Sequence, residues 1–148
     1  MTSAEIRDEL LSQHAALRGR LEAARLAVHR WASGEAPQAR VREELAGLTS
    51  ALRSHNLREE AALRELIRAV DAWGPARLEI MEEAHVREHH HLFEALLAVG
   101  EALDPRDGVG ELERLRTRLL EHMAREEEAF LNASVLRDDD LAIDAQGG

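Results

Sequence analysis

Apolar residues recur every three or four positions along this chain, in four long runs separated by turn signals. The first run is Ile6, Leu10, Leu17, Leu21, Ala24, Val28 and Trp31. Its period predicts a helix over 3–31, with Thr2 or Ser3 as N-cap and Glu5 in the first turn. The segment 32–37 (ASGEAP) reads as a turn. The second run, Val41, Leu45, Leu48, Leu52, Leu63, Leu66 and Val70, predicts a helix over 38–71, with Gly47 inside it but off the stripe. Trp73-Gly74-Pro75 breaks the pattern, and Pro75 suits the start of the next helix. The third run is Leu78, Met81, Leu92, Leu96, Val99 and Leu103 and predicts a helix over 76–103. The segment 104–110 (DPRDGVG) reads as the clearest loop in the chain. The fourth run, Leu112, Leu115, Leu119, Ala129 and Ala133 with Phe130 beside it, predicts a helix over 111–133. The acidic, glycine-ended tail 134–148 is expected to be frayed. Four amphipathic helices joined by short connections make sequential neighbours antiparallel. The expected fold is all-α, an up-down-up-down antiparallel four-helix bundle within 1–133.

Every one of these stripes is interrupted by groups that do not belong in an apolar core. His14 sits in the first, His55 and Glu59 in the second, His85 and His89 in the third, His122 and Glu126 in the fourth. Residues four apart share a helix face, so these side chains point inward with the leucines around them. In the stretch EEAHVREHHHLFEALLAV, His90 and His91 fall one and two steps further round and are expected to face solvent, as is His29. A buried carboxylate or imidazolium without partners costs several kcal/mol. Seven such groups would exhaust the net stability of a domain, about 5–15 kcal/mol. A bound cation is the economical compensation.

Composition narrows the chemistry. There is no cysteine, which excludes disulfides, thiolate nucleophiles and iron–sulfur clusters. The formal net charge is −10, with arginines interleaved among glutamates, so neither nucleic acid nor an anionic membrane surface is an expected partner. No signal peptide and no membrane-spanning run is evident, and a cytoplasmic protein is expected. Imidazole and carboxylate donors without thiolate suit iron best, with manganese or zinc possible.

The two halves of the chain are copies. Leu48, Leu52, His55 and Glu59 match Leu115, Leu119, His122 and Glu126 at the same spacing, and His14, Leu17 and Leu21 match His89, Leu92 and Leu96. Where the second half has His85, the first has Leu10. One metal is therefore expected to hold His85, His89 and His122, and the other only His14 and His55. With Glu59, Glu126 and a solvent-derived oxygen bridging, the second metal keeps an open position that a small ligand such as O2 can use.

One histidine on the first helix, HxxxE on the second (His55 to Glu59), HxxxH on the third (His85 to His89) and HxxxE on the fourth (His122 to Glu126) resemble the hemerythrin family, the HHE cation-binding domain. The likeness runs from Ile6 to about Leu131. It implies two iron ions in an oxo- or hydroxo-bridged di-iron centre, with O2 binding end-on at the five-coordinate iron, here the one held by His14 and His55. Hemerythrins of animals place the fourth-helix carboxylate five residues after the histidine, where this chain has Glu127. Stripe and repeat both favour Glu126, which leaves Glu127 as the alternative, expected to be exposed. Leu119 and Met123 flank His122 and are candidates to line the ligand side.

Two other motifs are weaker. His85-Val-Arg-Glu88-His89 also spells HxxEH of inverted zinc peptidases, but that leaves His14, His55 and His122 unused. The ExxH of ferritin-like proteins occurs only on the third helix, at Glu82/His85 and Glu88/His91. The expected function is reversible binding of O2 or another small diatomic or peroxide ligand, as carrier, store or sensor. The alternatives are a di-iron enzyme turning over peroxide or nitric oxide, or an iron-handling protein. The chain has no tyrosine to supply a phenol to the pocket, which leans toward binding rather than turnover.

Overall fold

A computed structural model of the chain describes residues 2–70 and 74–129. They form four helices: α1 (Ser3–Ala32), α2 (Gln38–Val70), α3 (Gly74–Gly100) and α4 (Pro105–Ala129). Each helix packs against two others in a closed ring, α1 on α2, α2 on α3, α3 on α4 and α4 back on α1. Cross-helix pairs run in opposite senses along α1/α2, α2/α3 and α1/α4, which fixes α3/α4 as antiparallel too. Glu9 meets Arg58 and Gln13 meets His55; Arg64 meets Glu82 while Arg53 lies over Phe93. Arg25 reaches Glu113 while Arg18 reaches Glu127. Neighbours are therefore antiparallel, as short connections require. No described helix is long and apolar enough to cross a membrane.

The helix ends follow local chemistry. Thr2 caps α1 through a capping box: its hydroxyl accepts from the Glu5 N–H at 3.1 Å, and Glu5 Oε2 accepts from the Thr2 N–H at 2.7 Å. α1 stops where Gly34 takes φ +77°, a left-handed conformation that suits glycine. Gln38 donates from Nε2 to the carbonyl of Ala102 at 2.8 Å, tying the two hairpin turns together at one end of the bundle.

Two boundaries differ from the sequence reading. The segment expected to be a loop over 104–110 is instead the start of α4. Asp104 is its N-cap, with Oδ1 accepting from the Asp107 N–H at 2.9 Å, and Pro105 occupies the first turn, where its missing N–H costs nothing. Gly108 is helical for a packing reason, since a Cβ there would lie 2.8 Å from the Trp31 ring. α3 ends at Gly100, so Leu103 leaves the expected stripe and is 94% exposed. The expected stripe positions Leu63, Leu66, Val70, Leu78, Met81 and Ala129 lie outside the described side chains. Asp71, Trp73, Phe130, Ala133 and the tail 134–148 lie outside the described residues.

The remaining stripes are buried. Leu17, Leu21, Ala24 and Val28 of α1 meet Val41, Leu45, Leu48 and Leu52 of α2, Leu92, Leu96 and Val99 of α3, and Leu112, Leu115, Leu119 and Met123 of α4 in one cluster. Each fully buried leucine contributes about 1.5–3 kcal/mol. This apolar block fills the half of the bundle nearest the hairpin turns. Ile6, Leu10 and Ala62 are buried further along, toward the opposite end. Gly108→Ala should destabilise the protein by about 1–3 kcal/mol despite better helix propensity, because the added methyl collides with Trp31. Gly110→Ala, with open space at its Cβ, should instead gain up to about 1 kcal/mol. Urea unfolding of the two variants separates packing from propensity.

Candidate metal centre

Between the leucine-rich block and Ile6, Leu10 and Ala62 lies a layer of polar side chains. His14, His55, Glu59, His85, His89, His122 and Glu126 are all buried, with His14 and Glu59 fully so. The seven side chains expected to point inward do so, and His29, His90 and His91 are exposed. The rings fall into two sets. His14 and His55 pack edge-on with centroids 4.8 Å apart. His85, His89 and His122 form a second set, with centroids 5.3 Å, 5.5 Å and 6.0 Å apart.

The carboxylates lie among these rings. Glu59 Oε2 is 2.8 Å from His55 Nε2 and 3.7 Å from His14 Nε2, and its Oε1 is 3.4 Å from His85 Nδ1. Glu126 Oε2 is 3.7 Å from His14 Nε2, while its Oε1 is in contact with His122 Nε2. His14 thus sits midway between the two carboxylates. Yet both oxygens of each glutamate, and Nε2 of His14, His55, His89 and His122, make no hydrogen bond of acceptable geometry among the described residues. Imidazole nitrogens and carboxylate oxygens converge without well-formed hydrogen bonds between them, as they do around a cation. Two groups have ligand atoms all within 4.8 Å of one another: His14, His55, Glu59 and Glu126, and Glu59, His85 and His89. These buried groups can hold metal, and Glu59 belongs to both.

Electrostatics fit a site built for positive charge. Burial pushes the His14 imidazole down, but Glu126 and Glu59 overcome it and raise its pKa to about 9. Burial likewise opposes Glu59, yet His14 and His55 hold its carboxyl far below the usual range. His122 is raised by Glu126 against burial. His89 goes the other way: burial, then His85 and His122, depress it to about 4. Without metal, a proton on His14 stands where a cation would otherwise balance the carboxylates.

The structure corrects the expectation for Glu127. It is half-buried, accepts a bidentate pair from Arg18 at 2.9 and 3.1 Å, and its Oε1 faces His14 Nδ1 at 3.4 Å. Burial raises its pKa, but Arg18 and His14 more than offset this and lower it. Glu126, not Glu127, points into the centre. Three further residues escaped the sequence reading. Gln13, Glu60 and Glu88 each face the outward nitrogen of a buried histidine. For Glu60 the signal was in the repeat, since both halves carry a second glutamate directly after the inward one, HNLREE and HMAREE. Asn56 is also buried, with neither amide atom hydrogen-bonded among the described residues, at the position where the second copy has Met123. Leu119 and Met123 are both fully buried.

Comparison with protein-family models, with curated proteins and with solved structures returned no match for this chain.

The shifts set the pH response of the metal-free protein. A raised His14 stabilises the fold fully below its ordinary value of 6.5, and that contribution disappears as pH rises toward 9. A depressed His89 costs nothing above 6.5 and destabilises increasingly as pH falls toward 4, where Glu59 also begins to lose its advantage. Stability of chelated protein should therefore peak near neutral pH. The alkaline loss from His14 should be on the order of 3 kcal/mol. Denaturant unfolding from pH 4 to 9 checks it, and with metal bound the alkaline loss should vanish.

Proposed function

We propose that this is a hemerythrin-like di-iron protein that binds O2, or another small diatomic or peroxide ligand, reversibly at an open metal position. The observation that carries the reading is Glu59, one fully buried carboxylate belonging to two metal-competent groups. A bridging carboxylate between two nitrogen-rich sets is the arrangement that a two-metal centre requires. The partition of rings supports unequal coordination, with His85, His89 and His122 on one side and His14 and His55 on the other. Leu10, fully buried, stands where a third histidine would complete the smaller set. The donor set, imidazole and carboxylate without thiolate, favours iron.

When bound, such a pair of irons supplies two electrons and a vacant coordination position. The chain's own residues do the rest. His14 and His55 leave their side under-ligated, Glu59 and Glu126 balance the positive charge, and the buried Leu119 and Met123 are candidates to line the ligand side. The absence of tyrosine favours reversible binding over turnover. In an iron-handling protein, occupancy itself would carry the information.

Purified protein should contain about two iron ions per chain. His14→Ala and Glu59→Ala should lose iron, while His90→Ala and His91→Ala should retain it; metal analysis that finds zinc, or equal iron in all four, sinks the proposal. Mixing reduced protein with O2 in stopped flow should give a persistent oxygenated spectrum. Rapid autoxidation, or turnover with peroxide or nitric oxide, would replace the carrier reading with an enzymatic one. Chelation should lower the melting temperature markedly, because buried ligands lose their compensation.

A further inference from the structure

Four half-buried side chains form an outer ring around the buried imidazoles, and each faces an Nδ1 atom. Gln13 Oε1 lies 2.7 Å from His55, Glu127 Oε1 3.4 Å from His14, Glu60 Oε1 3.5 Å from His89, and Glu88 Oε1 3.6 Å from His122. The ring obeys the internal repeat. Glu60 and Glu127 each follow the inward glutamate of their half, while Gln13 and Glu88 each precede the repeat-matched histidines His14 and His89. Exchanging the two hairpins therefore converts the Glu127–His14 contact into Glu60–His89, and Gln13–His55 into Glu88–His122. The chemistry matches in the first exchange and fails in the second. The amide of Gln13 is neutral, whereas Glu88 is a carboxylate, held in place by Arg125 at 2.7 Å.

Gln13, at hydrogen-bond distance, fixes the His55 proton on Nδ1 and leaves its Nε2 lone pair facing the centre, whereas the three carboxylates stand at ion-pair distance from theirs. Glu88 acts on His122 as a nearby negative charge that favours a cation at the centre; the Gln13 amide oxygen orients its ring without adding charge. We propose that the Gln13/Glu88 difference makes the two half-sites load metal unequally. The first ion enters the half with His85, His89 and His122, and the second enters the half with His14 and His55 more weakly. Gln13 is a positioning residue that orients His55 without adding negative charge, so the second step remains weaker than it would be with a carboxylate there. The missing histidine at Leu10 acts on the same half, in the same direction. This rests on the two-metal reading above and adds to it an order of filling, so that occupancy of the open half tracks the available metal.

The test is an anaerobic titration of metal-free, full-length protein with Fe(II), followed by calorimetry and repeated with Co(II). Two resolved steps are expected. Gln13→Glu should tighten the weaker step by about tenfold and leave the tighter one unchanged. Glu88→Gln should weaken the tighter step by about tenfold and leave the other unchanged. Circular dichroism of each metal-free variant confirms the fold; should Gln13→Glu not fold, Gln13→Ala must weaken the second step alone. Two ions that bind in wild type with steps that neither variant moves, or that both variants move together, overturn this inference and leave the two-metal reading standing. A wild-type chain that takes up one ion or none overturns both.

Discussion

The structure depends on one electrostatic constraint: two carboxylates, Glu59 and Glu126, buried 0% and 4% exposed in the middle of a leucine bundle. Removing a carboxylate from water costs several kcal/mol even after relaxation. The bundle tolerates two because all four helices bring imidazoles to the same layer. In the metal-free chain a proton on His14, held between both glutamates, supplies the balancing charge. That compensation is partial, because the inward oxygens of both glutamates still lack hydrogen bonds among the described residues. The leucine-rich block holds the helices in register, and the polar layer exploits that rigidity rather than creating it.

Helices and inward residues were legible in the sequence because they follow one rule, the helical period. Once Leu48, Leu52, His55 and Glu59 fall on one stripe, their shared direction follows without knowledge of neighbours. What was misread depended on something off the stripe. Gly108 and Gly110 resemble a loop by composition, yet Asp104 and Pro105 start a helix there and Gly108 is needed only because Trp31, far away in sequence, packs across it. Leu103 fits the period but stands beyond the end of α3, where period no longer has meaning.

The outer ring was illegible for a related reason. Gln13, Glu60, Glu88 and Glu127 are half-buried charged or amide residues at the edge of each stripe, where the hydrophobic pattern treats them as solvent-facing. Their role comes from the neighbouring helix: Glu127 of α4 meets His14 of α1, and Glu60 of α2 meets His89 of α3. Period within one helix cannot report such a pairing, whereas comparison of the two halves can. The doubled glutamate after each HxxR is the trace it leaves.

The repeated spacing accounts for so many expensive groups sharing one layer, since each hairpin contributes matching positions to it. It also defines what symmetry would predict, and the departures then carry the information. Two lie on the same half, Leu10 against His85 and Gln13 against Glu88, and under the proposal both would weaken the binding of a cation beside His14 and His55. A third, Asn56 against Met123, places in the first half a buried amide with no hydrogen bond among the described residues. Stability alone would favour methionine at both positions, because a buried amide without partners costs about 1–3 kcal/mol. A polar group at that position, in the same half as the other two departures, is consistent with the proposal that the two halves bind metal unequally.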